Sequence, residues 1–364
     1  MKVLHILYSG LGGHGNVFFS MVNADKSHKY EFKVIFNGVE KVREEYIERC
    51  KKLQIPFTFV KKKPGKHVFF FLRIFSQINR NDTDIIFLHG SMLILPAIFV
   101  KILSFRKIKI LVRETQAIHL KLKREKLALK LAMLLADNII FLSEEYKNEI
   151  QASFKNNFRT NKVSVIPNGI DLDVFFPKIY RTTEHIFTIG MQSRIVPIKD
   201  HKTLIEAFAL VLKQHPTKQL YLKIAGDGES IDELIHLVDS YALNSNILFL
   251  GMLPESSLPN FLNDLDIYVH ASFGETMSTS IMQAMACGKA IIASDVPGIN
   301  NMIKNNETGI LVPVLNIIML ANAILQLIED EILKEKLEMQ ARSYAQKHFS
   351  NKIMLEKYSF IFQK

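Results

Sequence analysis

The chain has 364 residues, 48% of them hydrophobic and 23% charged, which excludes a disordered or collagen-like polymer and leaves room for two domains with cores of their own. Its two cysteines, Cys50 and Cys287, exclude a disulfide framework or a four-thiolate zinc site and fit a reducing compartment. The net charge of +10 is uneven: residues 1–170 carry 29 Lys and Arg against 14 Asp and Glu, and the remainder 17 against 22. That split argues against a uniformly basic nucleic-acid binder and for a protein whose first half faces an anionic surface.

The first apolar run, 2–8, enters a glycine turn, GLGGHG at 10–15, and is too short to read as a signal peptide. Further strands are expected at 32–36, 84–88, 108–113, 138–142 and 163–166, a first series of about six. A polar, aperiodic stretch at 171–185 separates them from a second series at 186–190, 220–225, 246–250, 266–270, 290–293 and 310–312. Helical patterns such as 200–214, 230–242 and 278–286 lie between the strands. Alternation of this kind predicts an α/β protein with two doubly wound parallel sheets. The most apolar stretch, 85–103, is interrupted by His89, Gly90, Pro96 and Lys101, and reads as strand, turn and helix rather than a membrane span.

The excess positive charge concentrates in two places. Residues 51–80 hold eight Lys and Arg and no acid, interleaved with Phe57, Phe59, Phe69, Phe70 and Phe71. Residues 119–134 set Lys121, Lys123, Arg124, Lys126 and Lys130 among leucines at near-helical spacing. Both patterns suit the headgroup region of an anionic membrane, and equally a solvated face above an ordinary helix core. Nucleic acid is not expected, because the aromatics read as core positions and no binding module is present.

Open parallel sheets bind ligands beyond the carboxyl ends of their strands, so the loops that follow strands carry the candidate chemistry. In GLGGHG, the amides of Gly12 and Gly13 can hold a phosphate. A dinucleotide would also need an acid ending the second strand, which ends instead in Asn37-Gly38, with Glu40 the nearest following acid. Arg194 and Lys199 follow the strand at 186–190 and can neutralise a leaving diphosphate. Gly226-Asp227-Gly228 makes a tight turn after the next strand. Beyond the strand at 266–270, Glu275 is placed to bond sugar hydroxyls, and Thr276 to Ser280 offer hydroxyls and amides at a helix start. Three Asp-x-Asp pairs, Asp82/Asp84, Asp171/Asp173 and Asp264/Asp266, enter strands or lie in the linker, so no metal site is expected. His89 and His270 end strands, and Cys287 sits in an apolar helix end with no base to activate it.

Taken together, IPNGIDLDVFFP (166–177), SRIVPIKD (193–200), IAGDGE, FLGMLP, MACGKAIIASDVPG and TGILVP resemble, in order and spacing, the motifs of glycosyltransferase family 4. The resemblance covers nearly the whole chain, dense over 163–313 and thin over 16–160. It implies the GT-B fold: two Rossmann-like domains facing across a cleft, at 1–170 and 171–344, with a C-terminal helix at about 345–364 crossing back to the first. It implies a retaining transferase that uses a UDP- or GDP-type sugar donor and a glycan or lipid-linked glycan acceptor, in bacterial surface-polysaccharide synthesis. The setting implied is cytoplasmic, peripheral to the membrane's inner face, with no metal or further cofactor. Carried over residue by residue, the catalytic set is Glu275, Arg194, Lys199 and His119. The donor-binding set is Gly12, Gly13, Gly226, Met252, Leu253, Thr276, Met277, Ser278, Thr279 and Gln283.

Two departures stand out. Gln283 replaces the second glutamate of the family's E-x7-E signature, keeping a carbonyl acceptor for the ribose but losing the charge. The family often has a histidine after the fourth strand of the first domain, where ILVRETQAIH offers Glu114 or Thr115, with His119 further on. The rival readings are a relative that binds a sugar nucleotide without turnover, and an NAD-dependent oxidoreductase built on GLGGHG.

Overall fold

The computed structural model describes every residue except 11–12, 64–66, 105, 117, 119–120 and 179–185, and the side chains of His67 and Asn156. Gly12, His119 and part of the 171–185 linker therefore lie outside the described residues. Two compact units divide the chain, the first Met1–Gly169 with Asn351–Lys364, the second Ile170–Ser350.

In the first unit the strands are β1 (Lys2–Tyr8), β2 (Glu31–Gly38), β3 (Phe57–Lys61), β4 (Ile85–His89), β5 (Lys109–Arg113), β6 (Asn138–Phe141) and β7 (Val163–Val165). The helices are α1 (Gly13–Ala24), α2 (Glu44–Lys52), α3 (His67–Arg80), α4 (Ile94–Leu103), α5 (Lys123–Leu135) and α6 (Glu144–Ser153). The strands form one parallel sheet in the order β3-β2-β1-β4-β5-β6-β7. Alternate residues of each strand serve opposite faces. Leu4, Ile6, Ile86, Leu88, Ile110 and Val112 pack with Phe70, Ile74, Ala97, Val100 and Leu129 of α3, α4 and α5. Val3, Leu7, Ile85, Phe87 and Leu111 pack on the other face with Phe18 of α1 and Tyr46 of α2.

The expected series of about six strands needs a correction, because β3 makes seven. Its sequence, FTFVK, lies inside the basic stretch, and only Val60 is buried. An edge strand with one buried side chain leaves almost no hydrophobic pattern to read.

The second unit holds β8 (Phe187–Gln192), β9 (Leu220–Ala225), β10 (Ile247–Phe249), β11 (Ile267–His270), β12 (Ala290–Ser294) and β13 (Ile310–Val312), in the sheet order β10-β9-β8-β11-β12-β13. Its helices are α7 (His201–Gln214), α8 (Ile231–Ser240), α9 (Leu258–Asn263), α10 (Thr279–Ala286), α11 (Ile317–Glu329) and α12 (Glu331–His348). Helices α7 and α11 cover one face through Leu204, Phe208, Ile324 and Leu327, and α9, α10 and α12 cover the other through Leu262, Ile281, Met285 and Ala341. After α12 the chain returns to the first unit as α13 (Asn351–Gln363). There Met354, Tyr358 and Phe362 complete the core on the α1 side, Asn351 Nδ2 donates to the Ser20 carbonyl at 3.2 Å, and Lys109 Nζ donates to the Phe362 carbonyl at 2.9 Å. Each unit is thus a doubly wound Rossmann-like sheet.

Candidate active site

In the second unit the chain runs outward from β8 through β9 to β10, then returns to place β11 on the other side of β8. The loops after β8 and β11 diverge there, which opens a crevice at their carboxyl ends. Those loops carry Arg194 and Lys199 on one side and Glu275 on the other.

The loop after β8 is held by backbone bonds: Ser193 N to the Ala225 carbonyl at 3.1 Å and Ile195 N to the Asp227 carbonyl at 2.9 Å. Gly226 makes this approach possible, since at φ +149° a Cβ would lie 1.8 Å from the Ser193 carbonyl oxygen. Ser193 Oγ lies 3.0 Å from His201 Nε2, and Asp200 caps α7 by accepting from Thr203 N at 3.2 Å. Held in this way, the loop exposes Arg194 and half-buries Lys199. The loop after β11 is fixed from below by Gly298, at φ +85°, where a Cβ would sit 2.0 Å from the Glu275 carbonyl oxygen. Any side chain at Gly298 would push Glu275 out of place.

Lys199 Nζ forms an ion pair with Glu275 Oε1, and His270 Nε2 lies 3.0 Å from the same oxygen. A carboxylate oxygen only accepts, so Nε2 carries the proton; the unprotonated Nδ1 lies 3.1 Å from the Tyr268 hydroxyl, which donates to the Gln192 carbonyl at 3.2 Å. Burial, and then the charge of Lys199, hold His270 well below its usual pKa, so it stays neutral. Burial, with the charge of Arg194, brings Lys199 down to about 7. Glu275 Oε2 has no hydrogen-bond partner among the described residues and is left for a ligand.

Helix α10 begins beside this cluster. Ser278 caps it, accepting from Ile281 N at 3.4 Å, and lies 3.4 Å from His270 Nε2. The amides of Thr279 and Ser280 have no acceptor within the helix and face its N-terminal end, a natural anion site. Thr276 and Met277 lead into this turn from Glu275. Gln283 is buried on α10, where its Oε1 accepts from Gln192 Nε2 at 3.5 Å. Gly226 N donates to the Gly251 carbonyl at 2.8 Å, which brings the exposed Met252 and partly buried Leu253 to the edge of the same loop cluster. His270 was expected only as a residue that ends a strand. It is fully buried, yet it is also the hub joining Tyr268, Ser278, Lys199 and Glu275, and the i, i+2 spacing of Tyr268 and His270 on one strand face was the available signal.

The first unit has its own switch point, between β1 and β4. Gly13 opens α1 there and is exposed. Arg113 Nη1 lies 3.4 Å from His14 Nδ1, and Nη2 donates to Asn168 Oδ1. His5 Nδ1 and His89 Nε2 are 3.0 Å apart. Burial, then the charge of Arg113, pull His5 and His14 down to about 3.

Two expectations for this unit change. Glu114, one of two residues offered for the family's histidine position, is buried and fully engaged: Lys121 Nζ at 2.7 Å, Thr115 N at 3.1 Å and Ser91 Oγ at 2.9 Å all donate to it. Lys121, read as part of the basic surface stretch, is therefore internal. Among the described residues no group of three or more His, Cys, Asp and Glu is arranged to hold a metal ion. Asp84 and Asp266 accept from Lys2 N at 2.8 Å and Thr188 N at 2.7 Å, at the amino ends of strands and away from the crevices.

Comparison with known proteins agrees with this geometry. The family model "Glycosyltransferase Family 4" matches residues 11–174, and "Glycosyl transferases group 1" matches residues 176–348. The chain belongs to these glycosyltransferases. An uncharacterised glycosyltransferase of Methanocaldococcus jannaschii is 26% identical to the transferase, over 98% of this chain and 95% of its own length. The Escherichia coli UDP-Gal:alpha-D-GlcNAc-diphosphoundecaprenol alpha-1,3-galactosyltransferase is 30% identical, but over only 47% of this chain and 46% of that relative. Among solved structures, Anabaena HepE in complex with UDP and glucose superposes with a TM-score of 0.83 at 20% identity, covering 100% of both chains. The fold of the transferase is therefore GT-B.

Proposed function

We propose that the protein transfers a sugar from a nucleoside-diphosphate donor, UDP-sugar in the first instance, to a glycan or lipid-linked glycan during surface-polysaccharide assembly, with retention of configuration. The observation that carries this reading is the convergence of Arg194, Lys199, Glu275 and the start of α10 at the β8/β11 switch point. As the bond from the anomeric carbon to the diphosphate breaks, negative charge grows on the leaving oxygen. Two cations and helix amides already aimed at that place stabilise it without rearrangement. His270 donates to Glu275 Oε1 and so fixes the carboxylate, leaving Oε2 to orient the hydroxyls of the sugar. Cations in these positions do the work that a metal does in other diphosphate sites, so no metal is required. UDP is favoured because HepE is solved with UDP and UDP-glucose and because the E. coli relative is named for a UDP-galactose donor and a diphosphoundecaprenol acceptor.

The test is the thermal shift of the purified protein with UDP, GDP, ADP and NADH, repeated on Arg194→Ala. Stabilisation by UDP that shrinks in the variant supports the site. A shift with NADH alone, or none with any diphosphate, overturns it.

A further inference from the structure

On the side of the first sheet opposite α1, α2 and α13, the helices α3, α4 and α5 lie next to one another. Their inner faces already supply the core through Phe70, Ile74, Val100 and Leu129. An ordinary surface helix is polar on its other side. Here the outer sides are apolar as well: Phe69 and Leu72 on α3 are 67% and 57% exposed, Phe99 and Ile102 on α4 are 55% and 63% exposed, and Leu127 projects from α5. Exposed apolar side chains are unremarkable singly, but a run of them across adjacent helices marks a surface that is covered in use. Phe69 also corrects the expectation that the aromatics of 51–80 are all core: Phe70 is buried while its neighbour faces outward.

The charge around this face identifies what covers it. Residues 67–80 and 94–107, which span α3, α4 and the turn after α4, contain five Lys and Arg and no acid. Arg73, Arg106, Lys107, Lys123 and Arg124 are all exposed. Lys101 and Lys121 do not count toward the rim, because they pair with Asp137 and Glu114. Two copies of the protein meeting through this face would bring cationic rim against cationic rim, whereas a bilayer with acidic headgroups complements both the rim and the apolar centre. No helix among the described residues is long and apolar enough to cross a membrane, so docking would be in the plane of the interface.

We propose that the outer face of α3 and α4, flanked by the basic end of α5, seats the protein on an anionic lipid surface. Phe69, Leu72, Phe99 and Ile102 enter the headgroup region, and Arg73, Arg106 and Lys107 sit among the phosphates. This does not depend on the donor site, which belongs to the other unit and is read by UDP binding.

The experiment is co-flotation of the full chain with vesicles of phosphatidylcholine alone or mixed with phosphatidylglycerol, at low and high salt. Binding to the mixed vesicles, weakened by salt and small on phosphatidylcholine, is expected. The double variant Phe69→Ser/Ile102→Ser should lower it about tenfold or more, and so should Arg73→Glu/Arg106→Glu. Both variants should keep the wild-type melting temperature and UDP shift. Equal binding to both vesicle types, no binding, or wild-type binding by both folded variants would overturn the proposal. So would a wild-type dimer in sedimentation that Phe69→Ser/Ile102→Ser converts to monomer, because the face would then be a self-contact.

Discussion

Two of the lysine–glutamate pairs, one in each unit, have the same composition and opposite design. In the first unit Lys121 and Glu114 are sealed, with side chains 2% and 3% exposed, and four donors spend both carboxylate oxygens. In the second, Lys199 and Glu275 are partly open, at 10% and 18%, and one oxygen of Glu275 is uncommitted. A sealed, fully bonded pair cannot touch a substrate, so its effect is structural. An open pair leaves an ammonium and a carboxylate oxygen ready for something not yet bound.

Removing the acids should separate the two designs most sharply. Glu114→Ala strands a buried ammonium and should cost about 3–5 kcal/mol in denaturant unfolding, often enough to prevent recovery of folded protein. Glu275→Ala should leave unfolding nearly unchanged and lower transfer by about a hundred- to a thousandfold in a donor-turnover assay. A Glu275→Ala protein that melts early but turns over normally would reverse the contrast. Next in size, Gly298→Ala should lower turnover tenfold or more and cost about 1–3 kcal/mol, because it strains the backbone and displaces Glu275. Arg194→Ala should weaken UDP binding by about tenfold in titration calorimetry, the effect of one charge-assisted bond.

A subtler test uses proton linkage. Lys199 is pulled down to about 7, and a diphosphate favours its charged form. UDP affinity should therefore be highest below pH 7 and fall as pH rises through that value, by at most about tenfold per unit. Lys199→Met should bind more weakly and lose this decline. A wild-type affinity that is flat from pH 6 to 9 would show that Lys199 does not titrate there in the free protein. The smallest expected effect is that of a chelator: EDTA should leave turnover unchanged if Arg194 and Lys199 supply the positive charge.

How legible these features were depended on whether they left a local pattern. Buried strands such as Ile85–His89 and Ala290–Ser294 stand out because nearly continuous apolar runs mean cover on both faces. Arg194, Lys199 and Glu275 were readable because each follows such a strand within a few residues. The edge strand Phe57–Lys61 was not, since one buried valine makes no period. Lys121 looks like a surface cation in the sequence because spacing among leucines shows the helix face but not an acid seven residues earlier that turns a lysine inward. Phe69 and Phe70 are identical as letters and differ only in the direction each faces on α3. His270 ends a strand in the sequence, and its four partners come together only through the fold.

The return of α13 to the first unit has a consequence for how the protein is made. Tyr358 and Phe362 are wholly buried against residues synthesised far earlier, including Phe87 and Tyr30. Synthesis normally lets an N-terminal domain fold first. Here the second unit's residues, Ile170–Ser350, are all translated before the segment that finishes the first. Until residue 362 emerges from the ribosome, the first unit carries an open apolar seam along α1. The domain that begins the chain is therefore the last to close, and it spends translation with apolar surface of the kind chaperones bind.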